Sequence, residues 1–217
     1  MEPTVLKNNN ELKNKSTDPY SANQKQILLT IACDSLKHGV ENGSALSVDP
    51  DDFDSELKEH AATFVTLHKN SPLHNKELRG CIGSLIAHQP LVKDIADNAY
   101  SAGFRDPRFP QLSADELELL EIHISILTPP APMTFSNKED LLEQIQPGID
   151  GLILSDGFNR GTFLPSVWEQ LPDKEGFLLN LLMKAGLPHD YWSDSIKIER
   201  YETICFGDEY SQITAIS

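Results

Sequence analysis

The sequence predicts an α+β domain with a mainly antiparallel sheet. Three observations carry this. LEIHISIL at 120–127 alternates with period two, setting Ile122, Ile124 and Ile126 on one side of a strand. Apolar residues recur at helical spacing elsewhere, for instance Ile27, Leu28, Ile31, Ala32 and Leu36. Single helices separate most strand-like runs, without the regular strand–helix rhythm of a parallel sheet and without an internal repeat. At 217 residues, 39% hydrophobic and 24% charged, the chain suits one compact unit and lacks the ~18 consecutive apolar residues of a membrane span.

Residues 1–22 are polar, with no apolar period, and are expected to form a flexible tail ahead of a single domain at 23–207. The first helix starts at Ser21 and is expected to stop at Gly39, a residue suited to a left-handed cap. The acidic stretch 41–58 is expected to be a loop. FVTLHK at 64–69 is rich in strand formers, and the turn residues Asn70, Ser71 and Pro72 follow it. ELRGCIGSLIA at 77–87 resembles a strand, but Gly80 and Gly83 inside it imply a bulge or a close backbone approach.

Pro90 suits a helix start, and Leu91, Ile95, Ala99 and Ala102 give that helix its apolar face. FRDPRFP at 104–110 is irregular. Ser113 with Glu116, and Ser136 with Glu139, have capping-box spacing. GLILSDGFNRGTFLP at 151–165 reads as two strands around a turn, KEGFLLNLLMKA at 174–185 as an apolar helix ended by Gly186 and Pro188, and IKIERYETICF at 196–206 as a last alternating segment. Residues 208–217 are expected to be a C-terminal tail.

Eighteen basic against 33 acidic residues give a net charge of −15, a surface that repels a phosphate backbone, so no nucleic-acid partner is expected. The acid-rich runs DPDDFDSE at 49–56 and ADELELLE at 114–121 read as solvated faces. The N-terminus has neither a secretory nor a transit pattern, and Cys33, Cys81 and Cys205 form no C-x-x-C pair. Both features suit a cytoplasmic protein that is not a disulfide scaffold and has no membrane partner.

No phosphate-binding loop, dinucleotide fingerprint, zinc-protease helix or nucleophile elbow is present, no metal site is expected, and no cofactor is legible. The acidic run at 49–56 is no calcium loop, because Phe53 takes a ligand position and the required glycine is missing. What remains is LRGCIG at 78–83. Flanking glycines leave Cys81 approachable, and Arg79 can favour its thiolate. Equally, Cys81 can be a small buried hydrophobe beside a bulge.

At this segment the chain resembles the AMMECR domain family, named after the chromosomal region of Alport syndrome, midface hypoplasia and elliptocytosis. FVTLHK, FRDPRFP, EIHISILTPP, GTFLP and LMKAGLP follow the same family in the same order, covering about residues 24–207. DPRFP and KAGLP are similar to the prokaryotic branch, AmmeMemoRadiSam system protein A. The resemblance implies two unequal lobes, the larger an antiparallel sheet with flanking helices, with LRGCIG near the cleft between them. It also implies company: a radical S-adenosylmethionine enzyme and a Memo-type protein.

Arg79, Gly80, Gly83, Arg105, Asp106 and Arg108 are therefore candidate ligand-binding residues, since a loop arginine can hold a carboxylate or phosphate in two parallel bonds. Asp106 and Arg108 can equally pair with each other to fix their loop. Three functions stay open: an accessory, substrate-handling component whose cleft around Arg79 to Gly83 binds a small molecule, peptide or partner loop; an enzyme with Cys81 as nucleophile and His68 or His74 as base; and a scaffold without chemistry. Cys81 is expected to be partly accessible in a cleft and to react with a small alkylating reagent faster than Cys33 or Cys205.

Overall fold

A computed structural model describes residues 18–69 and 76–215. Among them the α+β expectation holds, as two four-stranded antiparallel sheets, each backed by its own helices.

The first lobe opens with α1 (Ala22–Asn42). Its N-terminus is a full capping box, in which Ser21 Oγ accepts from the Gln24 amide and the Gln24 side chain accepts from the Ser21 amide. Gly39 does not end this helix. A side chain there would meet Phe104 at 2.4 Å and Tyr100 at 2.8 Å, so Gly39 marks a helix crossing, and Gly43, at φ +72°, supplies the left-handed cap four residues later. The loop expected at 41–58 ends in a single helical turn, α2 (Ser55–Lys58), with Leu57 buried.

Strands β1 (Ala62–Lys69) and β2 (Glu77–Gly83) lead to α3 (Leu91–Phe104) and β3 (Leu120–Leu127). The sheet is completed by β8 (Thr203–Glu209), in the order β2-β1-β3-β8. Val65, Leu67, Ile122 and Ile124, all fully buried, face α1 and α3. By the same alternation Phe64, Thr66, His68, His123, Ser125 and Cys205 lie on the opposite face, which carries no helix of this lobe.

The second lobe has sheet order β4-β7-β5-β6, from β4 (Ala131–Pro132), β5 (Gly151–Asp156), β6 (Asn159–Phe163) and β7 (Lys197–Tyr201). Its core sets Leu152, Leu154 and Ile198 against Leu141 of α4 (Lys138–Gln144) and Phe177, Leu178, Leu181 and Leu182 of α5 (Lys174–Lys184). Trp168 stacks on Phe177 at 3.7 Å. The capping spacing seen at Ser136 is one residue early: Asn137 is the cap, accepting from the Asp140 amide.

The alternating run at 196–206 is two strands in two sheets. The chain changes lobes at Glu202, whose carbonyl accepts from the Thr128 amide at 2.9 Å and whose amide donates to Thr128 Oγ1 at 2.9 Å. A small apolar cluster of Ala62, Leu127, Ile153 and Tyr201, with Phe64, Leu85 and Leu164 against it, joins the lobes.

Both ends of the domain extend beyond their expected limits. Residues 1–17 lie outside the described residues, but Tyr20 already packs on the first core. The expected C-terminal tail at 208–217 instead finishes β8 and forms α6 (Tyr210–Ala215), because Tyr210 and Ile213 are apolar at helical spacing and bury in that core. Among the described residues no helix is long and apolar enough to cross a membrane.

Candidate functional site

LRGCIG occupies the edge strand β2, and each of its residues has a structural partner. Register shifts between Leu67 and His68, leaving Arg79 as the extra residue of a bulge. Gly80 meets the C-terminal turn of α3: a Cβ would sit 2.1 Å from the Ala102 carbonyl oxygen. A Cβ on Gly83 would sit 2.3 Å from the Thr63 carbonyl oxygen and 2.4 Å from the Phe64 ring. Neither glycine has a positive φ, so closeness, not backbone angle, demands them.

Arg79 is buried and forms a two-pronged pair with Glu116, Nε to Oε1 at 3.0 Å and Nη2 to Oε2 at 2.9 Å. Lys69 donates to the same carboxylate at 3.0 Å. Arg79 holds the Glu116 carboxyl far below the usual carboxylate range, against the opposing effect of burial, and Lys69 adds to the hold. Arg79 Nη1 is buried without a hydrogen-bond partner. The guanidinium is thus committed to Glu116 and not to the thiol.

Asp106 and Arg108 do pair, as one of the two expectations had it. Arg108 donates to Asp106 from Nε at 2.9 Å and from Nη2 at 2.7 Å. Asp106 Oδ2 also accepts from the Cys81 amide at 2.9 Å, while Arg108 Nη2 lies 3.5 Å from the Cys81 carbonyl. The two side chains therefore stand where a neighbouring strand would, and close the edge of the sheet. Arg108, first, and then the Cys81 amide hold the Asp106 carboxyl far below its usual range against its burial. Arg105 is exposed, its guanidinium 5.0 Å from the centre of the Tyr100 ring.

Cys81 is half-buried, and Thr66, directly opposite on β1, donates its hydroxyl to the thiol at 3.2 Å. His68 lies opposite Leu78 instead and meets His123 edge-on, ring centres 5.3 Å apart. Burial first, then His123, lower the His68 pKa, and its Nδ1 is buried without a partner. His123 is bonded to Glu121 at 2.8 Å, and Lys76 reaches the same carboxylate at 2.7 Å. His74 lies outside the described residues. Among those described, no hydrogen bond joins Cys81 to a histidine, and no three His, Cys, Asp or Glu side chains are grouped to hold a metal ion.

The open ground lies next to this row. Cys81, Thr66, His123 and Gly207 cross the helix-free face of the sheet, and Gly83, Phe64, Ser125 and Cys205 form the adjacent row. Over Ser125, Thr203 and Cys205 the second lobe projects Gly148, Leu164 and Ser166, enclosing a cleft of about 510 Å³. Cys205 is exposed in it, its sulfur 3.3 Å from both Ser125 Oγ and Thr203 Oγ1. Cys33, by contrast, is 1% exposed, and burial pushes its pKa far up. Cys205, not Cys81, is the most accessible of the three thiols.

Glu116, Thr66, Ser125 and Cys205 escape sequence reasoning. Glu116 announces itself only as a cap, a role it also fills by accepting from the Ser113 amide. The other three gain meaning only through cross-strand register, which no local pattern reveals.

A family model described as AMMECR1 matches residues 29–206. A protein of Methanothermobacter thermautotrophicus is 34% identical over 88% of this chain and 97% of its own length. One from Methanocaldococcus jannaschii is 40% identical over 70% and 75%. The crystal structure of an uncharacterised Pyrococcus horikoshii protein superposes with a TM-score of 0.73 at 33% identity, covering 86% of this chain and 92% of that one. With its LRGCIG strand and DPRF loop locked together inside the matched span, the chain belongs to the AMMECR1 family.

Proposed function

We propose that this protein is a recognition component, and that its inter-lobe cleft binds a small molecule or a partner loop. One observation carries this: the Cys81 thiol is partnered by a threonine hydroxyl and the Arg79 guanidinium by a carboxylate, leaving the accessible polar surface at Ser125, Thr203 and Cys205. A nucleophile needs a base within hydrogen-bond reach, and His68 is turned to His123. A mixed apolar and hydroxyl-lined cleft of this volume suits a bound ligand.

In the AmmeMemoRadiSam system that the family resemblance suggests, the protein handles the substrate of a radical S-adenosylmethionine enzyme, with a Memo-type protein as third member, in the reducing cytoplasm that free cysteines suit. Affinity capture from native cells, with mass spectrometry of proteins and small molecules, tests this. Stoichiometric recovery of the radical enzyme or the Memo-type protein is the expected result. Repeated capture of neither, with no small molecule retained, contradicts it.

A further inference from the structure

The acidic loop at 49–56 has no part in the cleft, and its position gives it another use. Residues 46–53 lie along α1 and leave a groove of about 440 Å³, floored by Ile27, Ile31, Val48 and Phe53. The loop is held where it leaves α1. Tyr100 Oη donates to the Gly43 carbonyl at 2.7 Å, and the Leu46 amide donates to the buried Ser35 hydroxyl at 3.2 Å. The groove is therefore preformed and lies within the ~300–1,000 Å³ range of ligand pockets.

Its rim is anionic. Asp34, Asp49 and Asp52 are exposed along it, and no salt bridge among the described residues neutralises any of the three. They do not converge on one point as metal ligands would, so they suit separate organic cations. Apolar floor and acidic rim ask respectively for an apolar side chain and flanking Lys or Arg.

We propose that this groove is a docking site for a short basic peptide segment of a partner protein, anchored by an apolar side chain on its floor and by Lys or Arg at its acidic rim. It is separate from the inter-lobe cleft and stands whether or not that cleft binds a ligand. An anionic lipid surface or nucleic acid is repelled by the same rim.

The test uses the full-length ¹⁵N-labelled protein and two six-residue peptides, each with two central leucines, one flanked by Lys and Arg and the other by Glu. The basic peptide is expected to shift the backbone amides of Ile27, Ile31, Val48 and Phe53, and to bind more weakly as salt rises. Asp34→Asn with Asp52→Lys, both at exposed positions, should weaken it about tenfold, two rim charges of ordinary strength. Equal binding of both peptides, shifts centred on Ser125 and Cys205, or an affinity unchanged in the double variant would overturn the proposal. So would groove amides that move with protein concentration alone, which would make a second copy the occupant.

Discussion

Cys81 and Asp106 meet through a single hydrogen bond, strand amide to loop carboxylate at 2.9 Å, and it closes the outer edge of the first sheet. Asp106→Ala removes the acceptor and leaves both that amide and Arg108 without it. The cost of an unsatisfied buried donor, about 1–3 kcal/mol, sets the expected loss. For a chain of this length that is a melting-temperature drop of several degrees, readable by calorimetry.

Stability should fall at acid pH through the same carboxylate and Glu116. Both have native pKa values below their unfolded ones, so their contribution is complete above the unfolded values, ~4 for Asp and Glu, and is lost as pH drops through the native values. Asp106→Asn and Glu116→Gln should each flatten the acid limb of a stability-versus-pH curve. Buried Asp94 and Asp150 have raised pKa values, so they act in the opposite sense, and their Asn variants should not flatten it.

Gly80→Ala should be far more damaging than an alanine on a typical strand. Its methyl group would be driven against the Ala102 backbone carbonyl, an atom that cannot rotate away. Overpacking of this kind costs about 1–3 kcal/mol or more, and chemical denaturation will register it. An unchanged unfolding midpoint would mean that α3 does not lie where described.

The Arg79–Glu116 pair predicts a non-additive mutant cycle. Arg79→Met alone leaves a partly buried carboxylate with only Lys69 as a cation beside it and should cost about 1–3 kcal/mol, whereas Arg79→Met with Glu116→Leu should recover much of that loss. Simple additivity of the two single variants would show that the pair is not coupled.

These contacts also mark how far the sequence alone could go. Strand-like composition identified β1 and β2 and alternation β3, and the pair of glycines signalled a bulge or a close approach, of which both are present, because such constraints are local. The split at Glu202 was invisible, since period two continues from β7 into β8 while the chain changes sheets. Tyr210 and Ile213 were lost for want of length: a six-residue helix has too few turns to declare a face. At the candidate site, Cys81 was legible from its flanking glycines, but the choice between nucleophile and packed thiol depended on Thr66, which only strand register brings opposite.

Thiol modification should follow exposure: Cys205 first, Cys81 more slowly, and Cys33 only on unfolding, given their exposed, half-buried and buried positions. Mass-spectrometric rates with a small alkylating reagent on the native protein give the order. Cys81 reacting fastest would restore the case for a chemical role at LRGCIG.

The central claim, that the inter-lobe cleft recognises the ligand or partner while LRGCIG holds the sheet edge, is tested most directly by quantitative affinity capture with Cys205→Trp. That residue is exposed on an edge strand, so the variant should fold with a melting temperature near wild type while its indole fills the cleft. The account predicts that such a folded variant loses at least nine-tenths, an order-of-magnitude figure of about 1.4 kcal/mol, of the partner or small molecule retained by the wild type. Wild-type recovery with the cleft filled would contradict it.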